Sequence, residues 1–252
     1  MILTSMKNKI LYVNGCSFAY GMGVDLQRSE TLKKRFSATL SAKLGYEDLN
    51  KSIPGSCNAR IGRRTSLDLY KYKPDIAIVV WSDPARFEFV DPNRDQLYKY
   101  NEDAEQVRPL SIHSYPRSRR HAFLSYYEEV SSSHRDVYYT LREMLTVKVI
   151  ADSLGVKCIQ IPFKETFHRE LVKVHKTNSE DYLASLHEYV DILSGDSLIF
   201  GIHDNISFDS ISGCDVNPNM LSAIPDQGGH PNKESHDIMS DWLYNFIQKE
   251  IL

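Results

Sequence analysis

The sequence has few cysteines and none of the spacings that usually give cysteine a structural role. Its 252 residues include 4 cysteines, and these are Cys16, Cys57, Cys158 and Cys214, widely separated and without a CxxC pair. Such spacing fits neither a zinc site nor a disulfide framework. We therefore expect reduced thiols and a cytoplasmic location.

Long apolar runs and an excess of basic charge are also lacking. No stretch approaches the roughly 20 apolar residues that span a bilayer, and the N-terminus does not have the pattern of a secretory signal. The formal net charge of −3 argues against nucleic-acid binding as the main task. A hydrophobic share of 42% and a charged share of 25% are those of an ordinary soluble protein. We expect no nucleic-acid partner and no membrane partner, and the sequence does not indicate an oligomeric state.

Four short apolar runs alternate with helical patterns along the chain. The runs lie at about residues 10–14, 48–53, 75–81 and 156–162, and each ends in a polar or glycine-rich turn. This alternation predicts an α/β protein with a mostly parallel sheet between two layers of helices. Leu32, Phe36, Leu40 and Leu44 predict one amphipathic helix that ends at Gly45.

Two parts of the chain interrupt this alternation. Residues 84–134 are rich in Tyr, Arg, Pro and Ser, and we interpret them as an insertion after the third strand of a single domain that spans residues 1–252. Residues 203–229 form a long polar stretch, and structureless loops of that length are uncommon unless they are functional. The last helix is predicted from about Lys233, with Ile238, Trp242, Phe246 and Ile247 on its buried face.

The turn Gly15-Cys16-Ser17 follows the first predicted strand, where open α/β sheets place their ligands. A serine hydroxyl on such a turn is a candidate nucleophile, although serine is also a common turn and helix-capping residue. Cys16 is an alternative nucleophile, but we expect it to point into the core because adjacent residues that leave a strand face opposite ways.

A nucleophilic serine needs an imidazole base, a carboxylate that orients it and donors for the oxyanion. Asp226 and His230 arrive together before the last helix and can supply the first two. The amides of Ser17 and Gly55, with a side chain from the second or third turn, can supply the donors. His203-Asp204 is a rival base and acid, and His236 is predicted to be structural or exposed. The other histidines show no metal-ligand spacing, so no metal is implied.

The sequence resembles the SGNH (GDSL-like) hydrolase superfamily across almost the whole chain. The matching blocks are residues 14–21 around Ser17, residues 54–58 around Gly55 and residues 226–232 with Asp226 and His230. Each block is short, and together they are moderately specific. The resemblance implies a three-layer α/β/α, flavodoxin-like fold and a catalytic triad of Ser17, His230 and Asp226, without a cofactor.

Two positions depart from the pattern of the family. The third block reads Val80-Trp81-Ser82-Asp83, so Ser82 stands where the family places an asparagine that donates to the oxyanion. The third donor is then either Ser82 or Asn58. One additional glycine separates Asp226 from His230, which leaves open a triad or a Ser–His dyad.

The function that we predict from these residues and the resemblance is that of a serine esterase acting through an acyl-serine intermediate. The Tyr- and Arg-rich insertion favours a small acyl ester, such as an acetyl group on a carbohydrate. A catalytically weak or inactive binding or structural protein on the same scaffold is the alternative. A nucleotide-binding module is less favoured, because Gly15, Gly21 and Gly23 match neither GxGxxG nor the P-loop spacing.

Overall fold

A parallel sheet forms the centre of the computed structural model, which describes residues 8–84, 86, 133–162, 167–168, 171–172, 180–201, 206–213, 217–222 and 229–252. Its strands are β1 (Ile10–Gly15), β2 (Glu47–Asn50), β3 (Ile76–Trp81) and β4 (Lys157–Pro162), in the order β2-β1-β3-β4. A parallel bridge between Gln160 and Ile199 adds a short fifth position beside β4. This is the flavodoxin-like order of a doubly wound sheet.

Helices cover both faces of this sheet. They are α1 (Ser17–Tyr20), α2 (Arg28–Lys34), α3 (Phe36–Leu44), α4 (Asn58–Tyr72), α5 (Ser133–Leu154), α6 (Glu180–Ser194), α7 (Phe208–Ser212) and α8 (Lys233–Glu250), with a 3₁₀ turn at Pro218–Met220. The predicted insertion at about 84–134 lies mainly outside the described residues.

Two apolar clusters hold the layers together. Tyr12 and Val79 pack on one face of the sheet with side chains of α4, α5 and α6. Their strand neighbours Val13 and Ile78 pack on the other face with side chains of α3, α7 and α8. Because successive strand residues face opposite ways, a strand buried on both faces needs a continuous apolar run, as β3 has. The predicted three-layer α/β/α fold is confirmed.

The helix predicted through Leu32 and Leu44 is instead two helices, α2 and α3. Arg35 lies between them in an extended conformation (φ −66°, ψ 155°), and its guanidinium is paired with Asp48 of β2 at 2.8 Å. Leu32 is 36% exposed. The ion pair with β2 therefore lies at the position where a periodic apolar pattern predicted a continuous helix.

The predicted buried face of α8 is right at Ile247, which is fully buried, whereas Ile238 is 36% exposed. Trp242 and Phe246 are partly buried against the apolar cluster on this face of the sheet. The fully buried residues of α8 also include the polar His236. His236 accepts a hydrogen bond from the main chain of α3. An apolar pattern misses such a face because hydrogen-bonded polar residues are part of it.

Candidate active site

Three turns meet at the carboxyl edge of the sheet. Gly15 of β1 is paired with Val80 of β3, so Ser17 and Ser82 each follow a paired residue by two positions. The chain after β2 continues along β1, because the N–H of Ile53 donates to the carbonyl of Gly15 at 3.2 Å. The residue two positions after Ile53 is Gly55. The structure thus brings three sequence-predicted residues to one edge.

Ser17 is the first residue of α1 and is 6% exposed. Cys16 before it is 1% exposed and belongs to the apolar cluster on the α3 and α8 face, as predicted. Gly15 is required by a close approach, since a Cβ there would lie 2.7 Å from the Val80 carbonyl oxygen and 2.8 Å from the Ala19 Cβ. Glycine at this position lets the Ser17 turn pack directly on β3.

A buried carboxamide fixes the start of this turn. Asn14 is fully buried, and its Oδ1 accepts from the N–H of Gly15 at 2.9 Å. Its Nδ2 donates to the carbonyl of Ile61 at 3.2 Å and to Thr65 Oγ1 at 3.0 Å, both on α4. The sequence analysis assigned no role to Asn14 beyond membership of the first block.

A second carboxamide fixes the end of α1. Asn50 Nδ2 donates to the carbonyl of Ala19 and to Ser37 Oγ, each at 2.9 Å. Its Oδ1 accepts from the N–H of Ser52 at 2.9 Å. The last carbonyls of a helix have no partner within it, so Asn50 supplies one and joins α1 to α3 and to the loop after β2.

Asn58, one of the two candidate third donors, is fully engaged in the structure. Its Nδ2 donates to the Ser82 carbonyl at 3.0 Å and to Thr140 Oγ1 at 2.9 Å, while its Oδ1 accepts from the Ser82 N–H at 2.7 Å. A primary amide has two N–H donors, and both have acceptors here. The Ser82 hydroxyl, by contrast, is buried without a hydrogen-bond partner among the described residues.

Gly55 lies in a tight turn and adopts φ +80°, a conformation that favours glycine. The turn is closed by Ser56, whose N–H donates to the Ile53 carbonyl at 3.2 Å and whose hydroxyl donates to the same oxygen at 2.8 Å. The buried Arg60 donates from Nη1 to Ser56 Oγ at 2.9 Å. Gly55 is partly exposed and lies on a turn that Ser56 and the buried Arg60 hold in place from the interior of the protein.

His230 lies against the Ser17 turn. Its ring packs edge-on on Phe18, the residue after Ser17, with the ring centroids 5.4 Å apart. The His230 carbonyl accepts from the N–H of Ser222 at 2.8 Å, and Pro231 pairs with Leu221 in an antiparallel bridge. These contacts place the predicted base beside Phe18, the residue that follows the predicted nucleophile.

The histidine loop, residues 229–232, also fits closely against the chain after α1. Gly23 adopts φ +95°, and a Cβ there would lie 2.6 Å from the Pro231 carbonyl oxygen and 3.0 Å from the His230 Cβ. Asn232 caps α8 by accepting from the N–H of Ser235 at 3.0 Å, and it donates from Nδ2 to the Asn219 carbonyl at 2.7 Å. The loop is therefore fixed on both sides of His230.

Asp226, the predicted orienting carboxylate, lies outside the described residues, as do His203 and Asp204. His236 is described, and it is fully buried. Its Nδ1 accepts from the N–H of Phe36 at 3.2 Å, and its ring stacks on that of Phe36. Burial, together with the charges of Lys233 and Arg35, lowers the pKa of His236 to about 3. The prediction that His236 is structural is confirmed.

Within the described ranges, no group of three or more His, Cys, Asp or Glu side chains could hold a metal ion. Among the described helices, none has both the length and the apolar character needed to cross a bilayer.

The fold of the chain is similar to the folds of two solved structures. One neighbour is a protein assigned to the lipolytic G-D-S-L family from Desulfitobacterium hafniense DCB-2, with a TM-score of 0.52 and 12% identity, over 94% of this chain and 99% of that one. Another is TesA, with a TM-score of 0.52 and 13% identity, over 97% of this chain and 100% of that one. The chain has the SGNH hydrolase fold. The GDSL-like resemblance of the sequence is therefore confirmed at the level of fold.

Sequence comparison adds no closer relative. No protein-family model matches the chain, and no curated protein sequence matches it. At 12% and 13% identity, these two neighbours show the fold and not the activity. The activity has to be argued from the residues at the carboxyl edge of the sheet.

Proposed function

We propose that the protein is a serine ester hydrolase with Ser17 as nucleophile and His230 as base. The observation that carries this proposal is the contact between the His230 ring and Phe18, the residue next to Ser17. Phe18 and His230 come from opposite ends of the chain. Their contact supports the proposal because a serine hydroxyl reacts only when a nearby base accepts its proton.

In the proposed reaction, Ser17 Oγ attacks the ester carbonyl while His230 accepts the hydroxyl proton. The same imidazolium then protonates the leaving alcohol, which leaves an acyl-Ser17 ester. A water molecule, deprotonated by His230, hydrolyses this ester and regenerates the serine. Asp226 is the proposed orienting carboxylate, which would fix the tautomer of His230 and stabilise its charged form.

The tetrahedral intermediate needs donors for its oxyanion. We assign the amides of Ser17 and Gly55 and the Ser82 hydroxyl to this role. The Gly55 amide belongs to a turn at the level of Ser17, and the Ser82 hydroxyl is buried with no other described partner. Asn58 is the less favoured third donor because both of its N–H groups already have acceptors. Removing one such donor typically costs about 3 kcal/mol of transition-state stabilisation.

The proposed substrate is a small acyl ester, such as an acetyl group on a carbohydrate. The argument comes from the sequence, where residues 84–134 are rich in Tyr and Arg and follow β3 at the edge that carries Ser17. Aromatic and cationic side chains suit a polar substrate better than a long lipid chain. A substrate survey with acetyl, butyryl and octanoyl esters tests this assignment, and we expect the acetyl ester to react fastest.

The nucleophile is tested by covalent labelling. Purified protein is treated with a fluorophosphonate probe and, separately, with p-nitrophenyl acetate. Ser17→Ala should abolish labelling and lower turnover by about 10⁴-fold or more, because the nucleophile is lost. His230→Ala should lower both rates through loss of the base. Cys16→Ala is the matched control, because this neighbouring thiol points into the core and should be dispensable.

A catalytically inactive binding protein on the same fold is the second candidate. The observation that favours it is Ser82, which stands where the family places an oxyanion-donating asparagine. Absence of both labelling and turnover in the wild-type chain would support this candidate. Labelling that survives Ser17→Ala would exclude Ser17 as the nucleophile.

A further inference from the structure

Ser82 combines a tightly held main chain with a hydroxyl that has no hydrogen-bond partner among the described residues. Its N–H donates to Asn58 Oδ1 at 2.7 Å, and its carbonyl accepts from Asn58 Nδ2 at 3.0 Å. The residue is only 3% exposed, and within the described part of the chain its hydroxyl has no hydrogen-bond partner. An unsatisfied buried hydroxyl costs free energy on folding. Folding alone therefore does not favour a serine at this position.

The contacts of Asn58 continue into α5. Its second N–H donates to Thr140 Oγ1 at 2.9 Å, and the Thr140 hydroxyl donates in turn to the Asp136 carbonyl at 2.9 Å. Both N–H groups of Asn58 and the hydroxyl of Thr140 therefore already have acceptors. The contacts fix Ser82 relative to α4, through Asn58, and to α5, through Thr140, but they leave Asn58 without a hydrogen for a ligand.

The Ser82 hydroxyl is therefore the group in this pair that is left without a hydrogen-bond partner among the described residues. Ser82 follows Val80 by two residues, as Ser17 follows Gly15, and Gly15 and Val80 are paired across β1 and β3. A serine side chain is shorter than that of asparagine and reaches less far. Its hydroxyl can serve a reacting atom only if its main chain is held in one place, and the Asn58 carboxamide supplies that constraint.

We propose that Asn58 is a positioning residue that orients Ser82, and that the Ser82 hydroxyl donates to the oxyanion. Asn58 then contributes to catalysis through Ser82 and not by contact with the substrate. The inference rests on the proposed ester hydrolysis, and it assigns the third oxyanion donor of that reaction. Asn58→Asp is an informative variant because it keeps the acceptor for the Ser82 N–H and loses both donated bonds.

A double-mutant cycle tests the proposal. Ser82→Ala should lower kcat for p-nitrophenyl acetate by about 10²- to 10³-fold with little change in KM, because the donor acts in the transition state. Asn58→Ala should lower kcat by nearly as much in the wild-type background. In the Ser82→Ala background it should change kcat by less than about threefold, since residues that act as a unit are not additive. Asn58→Asp should give an intermediate kcat.

Gln160→Leu is the matched control for Asn58. Gln160 is also a buried carboxamide that joins the sheet to α5, since it accepts from Trp81 Nε1 at 3.0 Å and donates to the Met144 carbonyl at 3.1 Å. Its loss should lower stability without lowering kcat of the folded enzyme. If Asn58→Ala does not fold, Thr140→Val removes the acceptor on α5 and should lower kcat in the same cycle.

The outcomes separate this inference from the proposed function. Full fluorophosphonate labelling of Ser17 together with an unchanged kcat in Ser82→Ala would overturn the inference and leave the hydrolase assignment in place. Additive losses in the Ser82 and Asn58 double variant would overturn the positioning role. Absence of labelling and turnover in the wild-type chain would overturn both proposals.

Discussion

The Ser17 turn and the histidine loop reach the same edge of the sheet but are held there by different interactions. The Ser17 turn depends on two side-chain amides, because Asn14 ties its start to α4 and Asn50 ties its end to α3. The histidine loop depends mainly on main-chain bonds, such as that from Ser222 to the His230 carbonyl at 2.8 Å, with one side-chain amide, Asn232, at its end. It also depends on close packing against Gly23.

This difference follows from where each segment lies in the fold. The Ser17 turn leaves a strand that is buried on both faces, so its polar groups need partners inside the protein. The histidine loop precedes α8 at the surface, where His230 is partly exposed. Side-chain amides in the first region couple the site to the stability of the whole fold. In the histidine loop, close packing sets the position of the His230 ring. The free energy of unfolding depends less on this packing.

Loss of Asn14 should have the largest effect on stability. Asn14→Ala removes three hydrogen bonds from a fully buried position. We expect the free energy of unfolding to fall by about 2–4 kcal/mol, because buried partners lose their bonds and a cavity forms. Denaturant unfolding measures this change. Asn245→Ala, on the exposed side of α8, is the control and should change stability by less than about 0.5 kcal/mol.

A loss below about 1 kcal/mol for Asn14→Ala would contradict the comparison, because it would mean that the fold does not depend on the amide. A large loss of unfolding free energy with an unchanged kcat in the remaining folded enzyme would refine the comparison of the two regions. In that case the Ser17 turn would keep its shape whenever the molecule is folded.

The sequence predicted the elements of the fold better than the bonds that position the site. β3 was predictable because its apolar run has few alternatives to a buried strand. Asn14 and Asn50 were missed because a carboxamide carries no periodic signal, and its partners are far away in the chain. Arg35, which separates α2 from α3, was missed for the same reason, since its ion pair with Asp48 forms only in the folded sheet.

The candidate site was predicted in part. Ser17, Gly55 and Ser82 lie at one edge because parallel strands place their carboxyl ends together, and this follows from the strand pattern alone. The contact of His230 with Phe18 does not follow from any pattern, since the two residues are separated by most of the chain. The sequence predicted His230 as the base, from its place beside Asp226 before the last helix and from the resemblance to SGNH hydrolases, but it did not predict this contact. Asp226 lies outside the described residues, and its role stays a prediction.

Gly23→Ala tests whether close packing against the histidine loop positions His230. The added Cβ would meet the Pro231 carbonyl oxygen at 2.6 Å, so the histidine loop has to move. A displacement of about 1 Å at a catalytic group can cost about 10²-fold in rate, and we expect kcat to fall by that order. Turnover of p-nitrophenyl acetate measures it, together with thermal unfolding of the same sample.

Gly45→Ala is the matched control for this change. Gly45 also has a positive φ, at +70°, but among the described residues other than its chain neighbours no atom lies within 4 Å of a Cβ placed there. Both variants should lose about 1 kcal/mol of stability from the backbone conformation, and only Gly23→Ala should lose activity. Equal activity in the two variants would mean that the packing of Gly23 does not position His230.

The smallest expected effect depends on pH and concerns His236, which anchors α8 to α3 beside the histidine loop. Its pKa is about 3 in the folded protein, mainly because of burial, against about 6.5 when unfolded. The unfolded chain therefore binds a proton that the folded chain excludes. The stabilising contribution is complete above pH 6.5 and is lost as the pH falls, at about 1.4 kcal/mol per unit, or about 2 kcal/mol at pH 5.

Unfolding free energies of His236→Phe and the wild type at pH 7.5 and pH 5 measure this contribution. The variant keeps an aromatic ring against Phe36 and cannot titrate, so its stability should fall by about 2 kcal/mol less than that of the wild type. His187→Gln, at an exposed position of α6, is the control and should follow the wild type. If the free energy of unfolding of His236→Phe falls between pH 7.5 and pH 5 as much as that of the wild type, groups other than His236 cause the acid sensitivity. A reduced slope would show that the start of α8, unlike the Ser17 turn with its neutral amides, is held by a titratable group.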